Sequence, residues 1–269
     1  MVFFPNSKIN LGLNIVNKRN DGYHDIETVF FPIPLKDALE IIEKEEPGFS
    51  TSGFPIEGEQ GNNLCLKAYE LLKKDFPGLP AVQIHLHKAI PIGAGLGGGS
   101  ADGAITLKLF NKKFGLTLSE KQLMEYSLQL GSDCPFFILN TPCFAVGRGE
   151  RLEPIEIELS SYKIFIVHPG IYISTAWAFS TIKPSVPAKS IKEIFTQPIE
   201  TWKEELKNDF EKPVFTQYPE IKKIKDQLYS AGAVYASMSG SGSAVYGIFE
   251  KDTTVSIPFP RNYFVKETQ

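Results

Sequence analysis

A glycine-rich segment carries the strongest chemical signal in the chain. It reads Pro91-Ile92-Gly93-Ala94-Gly95-Leu96-Gly97-Gly98-Gly99-Ser100-Ala101-Asp102. Glycine lets the backbone adopt conformations closed to other residues and lets its N–H groups approach an anion closely. The N–H groups at the start of a following helix also favour negative charge, and Ser100 is a plausible N-cap for that helix. The segment therefore predicts a phosphate-binding loop, which we call the glycine loop (residues 91–101).

The sequence on either side of the glycine loop indicates which class of glycine-rich loop it belongs to. Val82, Ile84 and Leu86 alternate with polar residues, so a half-buried strand precedes the loop. A Walker A loop needs a lysine after its last glycine, and residues 91–106 contain none. The loop fits the dinucleotide pattern G-x-G-x-x-G, but a capping-box pattern at 117–120 predicts a second helix where that fold needs a strand. These features exclude a Walker A loop and disfavour a dinucleotide fold, and they leave a glycine-rich surface turn as the structural alternative.

The glycine loop and other segments together resemble the GHMP small-molecule kinases. The loop of that family has the form P-x-x-x-G-L-G-[GS]-G-S-[AS], which residues 91–101 match throughout. The further matching segments are Pro5–Leu11, Asp21–His24, Leu130–Pro135 and Met238–Ser243. The resemblance implies a two-domain α+β fold with mixed sheets, packed helices and an active site in the cleft between the domains. It also implies ATP as phosphoryl donor, Mg²⁺, and a small-molecule acceptor.

The Asp-Gly-Tyr-His segment makes the resemblance more specific. It is similar to family members that phosphorylate a cytidine diphosphate-linked sugar alcohol in the non-mevalonate route to isoprenoid precursors. By that resemblance Tyr23 stacks on the cytosine, His24 hydrogen-bonds its edge and Phe179 closes the opposite face. Asn10 and Thr175 are the candidates for the sugar-alcohol and diphosphate ends. From the residues alone, Tyr23 and His24 also fit an amphipathic pair at a sheet end, and Phe179 fits a core position.

Two charged residues are the candidate catalytic pair. The resemblance assigns Lys8 to stabilising charge on the substrate oxygen or the transferred phosphoryl group, and Asp133 to accepting the hydroxyl proton. Phosphoryl transfer depends chiefly on positioning and electrostatics, so these residue types fit the chemistry. From the residues alone, Lys8 also fits a solvated strand end, and Asp133 fits the cap of a short helix that has Pro135 in its first turn.

The remaining candidate residues are placed on loops. The resemblance assigns the glycine loop to ATP and Asn63 to the adenine, although an Asn-Asn pair that opens a helix is also a plain cap. A second small-residue loop follows Met238, and by resemblance it lines the substrate site with Ser239, Gly240, Ser241 and Gly242. From the residues alone, a hairpin connection between two strand-like runs is an equally good interpretation. No carboxylate cluster indicates a dedicated metal site, so Mg²⁺ is expected on phosphates and water, with Ser100 or Asp133.

Composition agrees with an ordinary enzyme and excludes other classes. The 269 residues are 42% hydrophobic and 22% charged, enough for a large core in one or two domains. The net charge of −3 gives no strong attraction for nucleic acid or anionic lipid. No run approaches the roughly 18 apolar residues that span a bilayer. Cys65, Cys134 and Cys143 lack metal-type spacing and fit reduced thiols. We expect a cytoplasmic protein with no nucleic-acid or membrane partner, as a monomer or weak homodimer.

A turn-forming cluster at residues 147–150 predicts the domain boundary. We expect an ATP-binding domain over residues 1–152 and a second kinase domain over 153–269. Gly103 departs from the alanine usual in the family, and inside a helix it costs about 0.8–1.0 kcal/mol. The alternative functions are another GHMP activity, such as homoserine or mevalonate phosphorylation, and a non-catalytic nucleotide-binding relative. The second alternative would lack Lys8 or Asp133, and both are present.

Overall fold

The computed structural model describes residues 1–56 and 60–268, and its chain forms two compact units that interleave along the sequence. Unit 1 comprises Met1–Ser7, Pro34–Ile92 and Gly97–Thr141, and unit 2 comprises Lys8–Ile33, Gly93–Leu96 and Pro142–Gln269. Both units contain helices and strands, which confirms the predicted α+β class. The domain boundary between residues 152 and 153 stays a prediction. It is a single division of the sequence, whereas each compact unit is assembled from three separate segments.

The elements are numbered in chain order. The strands are β1 Val2–Phe3, β2 Asn6–Lys18, β3 His24–Lys36, β4 Ala38–Glu43, β5 Gly48–Gly53, β6 Val82–Lys88, β7 Cys143–Gly147, β8 Arg151–Pro154, β9 Tyr162–His168, β10 Tyr235–Met238, β11 Val245–Glu250 and β12 Phe264–Thr268. The helices are α1 Leu64–Asp75, α2 Gly98–Phe114, α3 Glu120–Leu130, α4 Cys134–Leu139, α5 Thr175–Ser180, α6 Ile191–Ile194, α7 Trp202–Glu205, α8 Glu211–Gln217 and α9 Pro219–Ser230. Short 3-10 turns lie at Gln60–Asn62 and Ile199–Thr201.

Unit 1 contains a four-stranded sheet in the order β1-β4-β6-β5. Its pairs are antiparallel except β5 with β6, which run parallel. The inner strand β6 buries Val82, Ile84 and Leu86, as their alternation predicts, and the next residue of that parity, Lys88, is buried as well. The strand predicted before the glycine loop is therefore confirmed, and it extends to Lys88.

The helices of unit 1 begin and end where local hydrogen bonds are available. The capping box of α3 uses Ser119 and Gln122, two residues later than the 117–120 pattern, so that predicted position was wrong. Thr117 instead has φ +57°, a left-handed conformation unsuited to an N-cap.

Glycine at position 103 of α2 matters for helix packing, because an added Cβ would lie 2.9 Å from the Leu64 Cβ. The glycine therefore lets α1 and α2 approach closely, which offsets its cost in helix propensity.

Unit 2 contains two further sheets. One has the order β2-β3-β7-β8, and the first residues of β2 and the last of β3 belong to unit 1. The other is antiparallel in the order β10-β11-β9-β12. Met238 lies opposite Val245 across β10 and β11, so the hairpin connection predicted around the second small-residue loop is confirmed.

The core of unit 2 is apolar and includes residues from helix α9. Ile221, Ile224 and Leu228 of α9 are buried, as their helical spacing predicts, in a cluster that includes Phe249 of β11. Burying each such side chain contributes about 1.5–3 kcal/mol. Within the described parts of the chain, no helix is both long enough and apolar enough to cross a membrane.

Candidate active site

The backbone of the glycine loop has the conformation that its sequence predicts. Gly95 and Gly97 have φ values of +79° and +71°, which side-chain-bearing residues rarely adopt. Gly97 is the N-cap of α2 and makes no side-chain capping bond, so the expectation of Ser100 as N-cap was wrong. The physical reason is that α2 begins three residues earlier than expected, which places Ser100 within its first turn. The start of α2 therefore presents backbone N–H groups that no capping side chain covers.

Neutral hydrogen bonds hold the tip of the glycine loop, residues 93–96, within unit 2. The Ala244 N–H donates to the Ala94 carbonyl over 3.0 Å, and the Lys8 N–H donates to the Leu96 carbonyl over 2.9 Å. The Ser239 hydroxyl donates to the Gly95 carbonyl over 2.8 Å. A Cβ at position 95 would overlap the Ser239 carbonyl oxygen. The approach of the two small-residue loops therefore depends on glycine at position 95.

The second small-residue loop is itself anchored within unit 2. The Asn208 side-chain amide donates to the carbonyls of Met238 and Gly240 over 2.8 and 2.9 Å. The hydroxyls of Ser241 and Thr175 lie 3.2 Å apart, so two of the predicted substrate residues are brought together. Asn208 is not predicted from the sequence, because its contacts are 30 and 32 residues away and no motif marks it.

Lys8 and Asn10 lie on one face of β2, as their two-residue spacing requires. Lys8 is only 4% exposed, which excludes the solvated strand end considered for it. Its ammonium donates to the Asn10 side-chain carbonyl over 2.5 Å and lies 4.8 Å from the Phe30 ring centroid. The Asn10 amide group in turn donates to the Thr28 hydroxyl over 3.0 Å. Asn10 therefore helps to orient a buried cation.

Asp133 directly precedes α4 in unit 1 and is half-buried. It occupies the N-cap position, but its side chain makes no capping hydrogen bond to α4, so the capping interpretation does not account for this carboxylate. The neighbouring Cys134 is buried, and burial, together with the charge of Asp133, raises the pKa of its thiol to about 12. A thiol with that pKa is not a nucleophile at neutral pH, in agreement with a packing role.

The aromatic candidates contact a guanidinium and other aromatic rings within unit 2. Tyr23 is 54% exposed, and the Arg148 guanidinium lies 4.9 Å from its ring centroid. His24 stacks on Phe179, with ring centroids 4.9 Å apart and planes at 20°. Phe179 also meets Phe210 edge to face at 4.9 Å, so it contributes to the core as well as to this surface. Arg148 is not among the residues predicted from the sequence, although its position between two glycines at a hairpin turn was a usable signal.

Electrostatics leave His24 neutral near physiological pH. Burial, assisted by the charge of Lys18, lowers the pKa of its imidazole below the usual value. A neutral imidazole has one donor and one acceptor nitrogen, which suits the edge of a pyrimidine base. The turn before it is fixed because Arg19 pairs with Asp21 over 2.8 Å, and Asp21 accepts a hydrogen bond from the Tyr23 N–H over 3.1 Å.

The nucleotide-side candidates lie on unit 1, apart from the loop tip. Asn63 caps α1, with its side-chain oxygen accepting from the Cys65 N–H over 2.9 Å, so the plain capping interpretation is confirmed for this residue. A role beside the adenine stays a prediction. Among residues 1–56 and 60–268, no three His, Cys, Asp or Glu side chains are arranged to hold a metal ion.

Comparison with known proteins identifies the family. The model for the GHMP kinases N terminal domain matches residues 63–141, and the GHMP kinases C terminal model matches residues 190–257. The chain is 51% identical to 4-diphosphocytidyl-2-C-methyl-D-erythritol kinase of Parabacteroides distasonis, over 94% of this chain and 93% of that protein. It is 53% identical to the kinase of the same name from Bacteroides fragilis, over 95% of this chain and 94% of that protein.

Solved structures agree with this assignment. A crystal structure of 4-(cytidine 5'-diphospho)-2C-methyl-D-erythritol kinase matches with a TM-score of 0.76 and 30% identity, covering 92% of this chain and 90% of that one. The mevalonate kinase of Methanococcus jannaschii shares the fold, with a TM-score of 0.69 at 16% identity over 94% and 92% of the two chains. The chain therefore belongs to the GHMP kinases and, within them, to the 4-diphosphocytidyl-2-C-methyl-D-erythritol kinase family, as its motifs predicted.

Proposed function

We propose that this protein transfers the γ-phosphoryl group of ATP to the 2-hydroxyl of 4-diphosphocytidyl-2-C-methyl-D-erythritol. The products are the 2-phosphate and ADP, and the step belongs to the non-mevalonate route to isoprenoid precursors. The observation that carries the proposal is identity of 51–53% over more than nine-tenths of the chain to kinases named for this acceptor. The buried ammonium of Lys8 and the glycine loop support the same chemistry.

The proposed mechanism assigns separate tasks to two charged groups. The acceptor oxygen forms a bond to the γ-phosphorus while the bond from that phosphorus to the bridging oxygen of ADP breaks. Asp133 accepts the hydroxyl proton, and ADP leaves with the electron pair of the broken bond. Lys8 stabilises the charge on the oxygens involved. Because Lys8 is buried, its charge acts through a medium less polarisable than water and is more effective there. Asn10 orients that ammonium.

We assign ATP to the glycine loop and its neighbours. The uncapped N–H groups at the start of α2 would bind phosphate oxygens, and Asn63 would lie near the adenine. Mg²⁺ neutralises phosphate charge when it is bound. The hydroxyl of Ser100 and the carboxylate of Asp133 are oxygen donors of the kind this ion prefers. We propose that this Mg²⁺ arrives with ATP and is held mainly by phosphate oxygens and water.

We assign the cytosine to the surface that Tyr23, His24 and Phe179 form in unit 2. Tyr23 offers an exposed ring, and stacking on a base contributes about 1–3 kcal/mol. The neutral imidazole of His24 supplies hydrogen bonds, and Phe179 holds that imidazole by stacking on it. Thr175 and the second small-residue loop (Ser239, Gly240, Ser241 and Gly242) would line the diphosphate and sugar-alcohol end. We also propose that the protein acts in the cytoplasm as a monomer or weak homodimer.

The experiment that tests the function is release of ADP by the purified protein with Mg-ATP and each of several acceptors. The panel contains the cytidyl substrate, mevalonate, homoserine and a control without acceptor, because mevalonate and homoserine kinases share this fold. We expect acceptor-dependent release with the cytidyl substrate alone. Release with mevalonate or homoserine instead would leave a kinase and discard the cytosine site.

Replacing the proposed base tests the mechanism. We expect Asp133→Asn to lower kcat by about two orders of magnitude or more, because an amide cannot accept the hydroxyl proton. The affinity for Mg-ADP, measured by calorimetry, should change little if phosphates and water supply most of the Mg²⁺ ligands. Asp75→Asn is the matched control in the same unit, since Asp75 accepts a hydrogen bond from the Tyr126 hydroxyl at the surface. A kcat within a few-fold of the original for Asp133→Asn would remove it from the role of base.

A further inference from the structure

Three charged side chains of unit 1 form a buried group that the proposed mechanism does not use. Asp37, Lys88 and Asp102 are 1%, 4% and 2% exposed, and we call them the ion cluster. The Lys88 ammonium donates to a carboxylate oxygen of Asp37 and, over 2.7 Å, to Asp102 Oδ2. Burying charges costs free energy that their attraction often fails to recover, so such a group needs a reason besides stability.

The ion cluster contacts the chain at both ends of the glycine loop. Asp37 Oδ1 accepts hydrogen bonds from the N–H groups of Ala89 and Ile90 over 2.6 and 2.8 Å, just before the loop begins. Asp102 lies on α2, just after the loop ends. One ammonium therefore links a carboxylate that holds the entry of the loop to a carboxylate on the helix that leaves it.

Close packing at the start of α2 reinforces this link. A Cβ added at Gly98, the first residue of α2, would lie 3.3 Å from the Lys88 ammonium and 3.0 Å from the Ile90 side chain. The first turn of the helix, whose N–H groups we assign to phosphate, therefore rests directly on Lys88 and Ile90. A change in the ion cluster would displace those N–H groups, and binding at such sites is sensitive to shifts of about 1 Å.

We propose that Asp37, Lys88 and Asp102 are positioning residues that hold the glycine loop and the first turn of α2 in the geometry for binding nucleotide phosphates. This inference rests on the proposed use of ATP by that loop. The three residues touch neither the nucleotide nor the acceptor in this account. Their effect is therefore expected on ATP affinity and not on acceptor affinity.

The test compares KM for ATP with KM for the acceptor in the full-length protein at neutral pH. Asp102→Asn keeps the side-chain shape and weakens the pair with Lys88, so it should raise KM for ATP and leave KM for the acceptor unchanged. Lys88→Met should raise KM for ATP about tenfold or more at neutral pH. Lys163→Met, which removes another buried lysine paired with a carboxylate, should leave it unchanged.

Several outcomes would overturn the proposal. A lower melting temperature with unchanged KM for ATP in Asp102→Asn and Lys88→Met would mean a purely structural role. So would equal changes in both KM values. If Lys88→Met does not fold, Asp37→Asn and Asp102→Asn still carry the test, since both keep the side-chain shape. Binding of Mg-ADP by calorimetry repeats the comparison without any acceptor, so it separates failure of this inference from failure of the proposed substrate.

Discussion

The glycine loop is held in two physically different ways along its length. In unit 1 the ion cluster fixes its ends with buried charges, through Asp37, Lys88 and Asp102. In unit 2 neutral backbone and hydroxyl hydrogen bonds fix its tip, with Ser239 bonded to the Gly95 carbonyl. The charged contacts are few and strong, whereas the neutral ones depend on how closely two small-residue loops approach.

This difference predicts different sensitivities. A buried charge that loses its partner is costly, because the remaining charge stays out of water. A neutral hydrogen bond costs far less to lose, but close backbone approach tolerates no added side chain at Gly95. The ends of the loop should therefore respond to loss of charge, and the tip should respond to steric volume.

The largest expected effect is at the charged end. Lys88→Met should lower the free energy of unfolding by about 3–5 kcal/mol, because it leaves Asp37 and Asp102 buried without their cation. Lys163→Met is the control and should cost less, since its partner Glu267 is 40% exposed and can be hydrated. Urea unfolding at pH 7 measures both. Equal losses in the two variants would contradict a special role for the ion cluster.

The next effect is at the tip. Gly95→Ala should lower the free energy of unfolding by about 2–3 kcal/mol, because φ is +79° and the new Cβ would overlap the Ser239 carbonyl. Gly99→Ala is the matched control within the same loop. Nothing lies within 4 Å of a Cβ there and the residue is helical, so the change should gain up to about 1 kcal/mol. A loss at position 99 as large as that at position 95 would show that volume at the tip is not the deciding factor.

The smallest effect concerns a single neutral bond. Ser239→Ala should cost about 1 kcal/mol, because it removes the donor to the Gly95 carbonyl and the weaker acceptor of the Asn10 N–H. Ser241→Ala should cost less, since the hydroxyl of Ser241 lies 3.2 Å from the hydroxyl of the exposed Thr175, where water can replace it. The melting temperatures of the two variants, measured by thermal unfolding, show which substitution costs more stability. A cost for Ser239→Ala that matches Lys88→Met would erase the distinction between charged and neutral anchoring.

Sequence predicted the local features of the site well. The strand before the glycine loop, the helix after it and the left-handed glycines follow from side-chain alternation and from the conformations open to glycine. The first residues of the helices were harder to predict, because several neighbouring residues can each serve as the N-cap. Ser100 and Thr117 have side chains suited to an N-cap, but the N-caps of α2 and α3 are Gly97 and Ser119.

The long-range parts of the site could not be read from sequence in the same way. Asp37 and Lys88 are 51 residues apart, and nothing local shows that they meet. One signal was present: Lys88 falls on the buried parity of β6, where a lysine needs a buried partner. The contact of Arg148 with Tyr23 could not be predicted from the sequence either. A hairpin turn predicts that Arg148 is exposed, but it does not predict which ring the guanidinium covers.

The most direct test of the central claim is the phosphorus-31 spectrum of the product made from Mg-ATP and 4-diphosphocytidyl-2-C-methyl-D-erythritol. Carbon 2 of this acceptor bears a methyl group and no hydrogen. A phosphate on its hydroxyl therefore has no three-bond coupling to a proton, and the account predicts one new monoester singlet beside the unchanged diphosphate signals. A new monoester signal split by neighbouring protons, or ADP release without a new phosphorus signal on the acceptor, would contradict it.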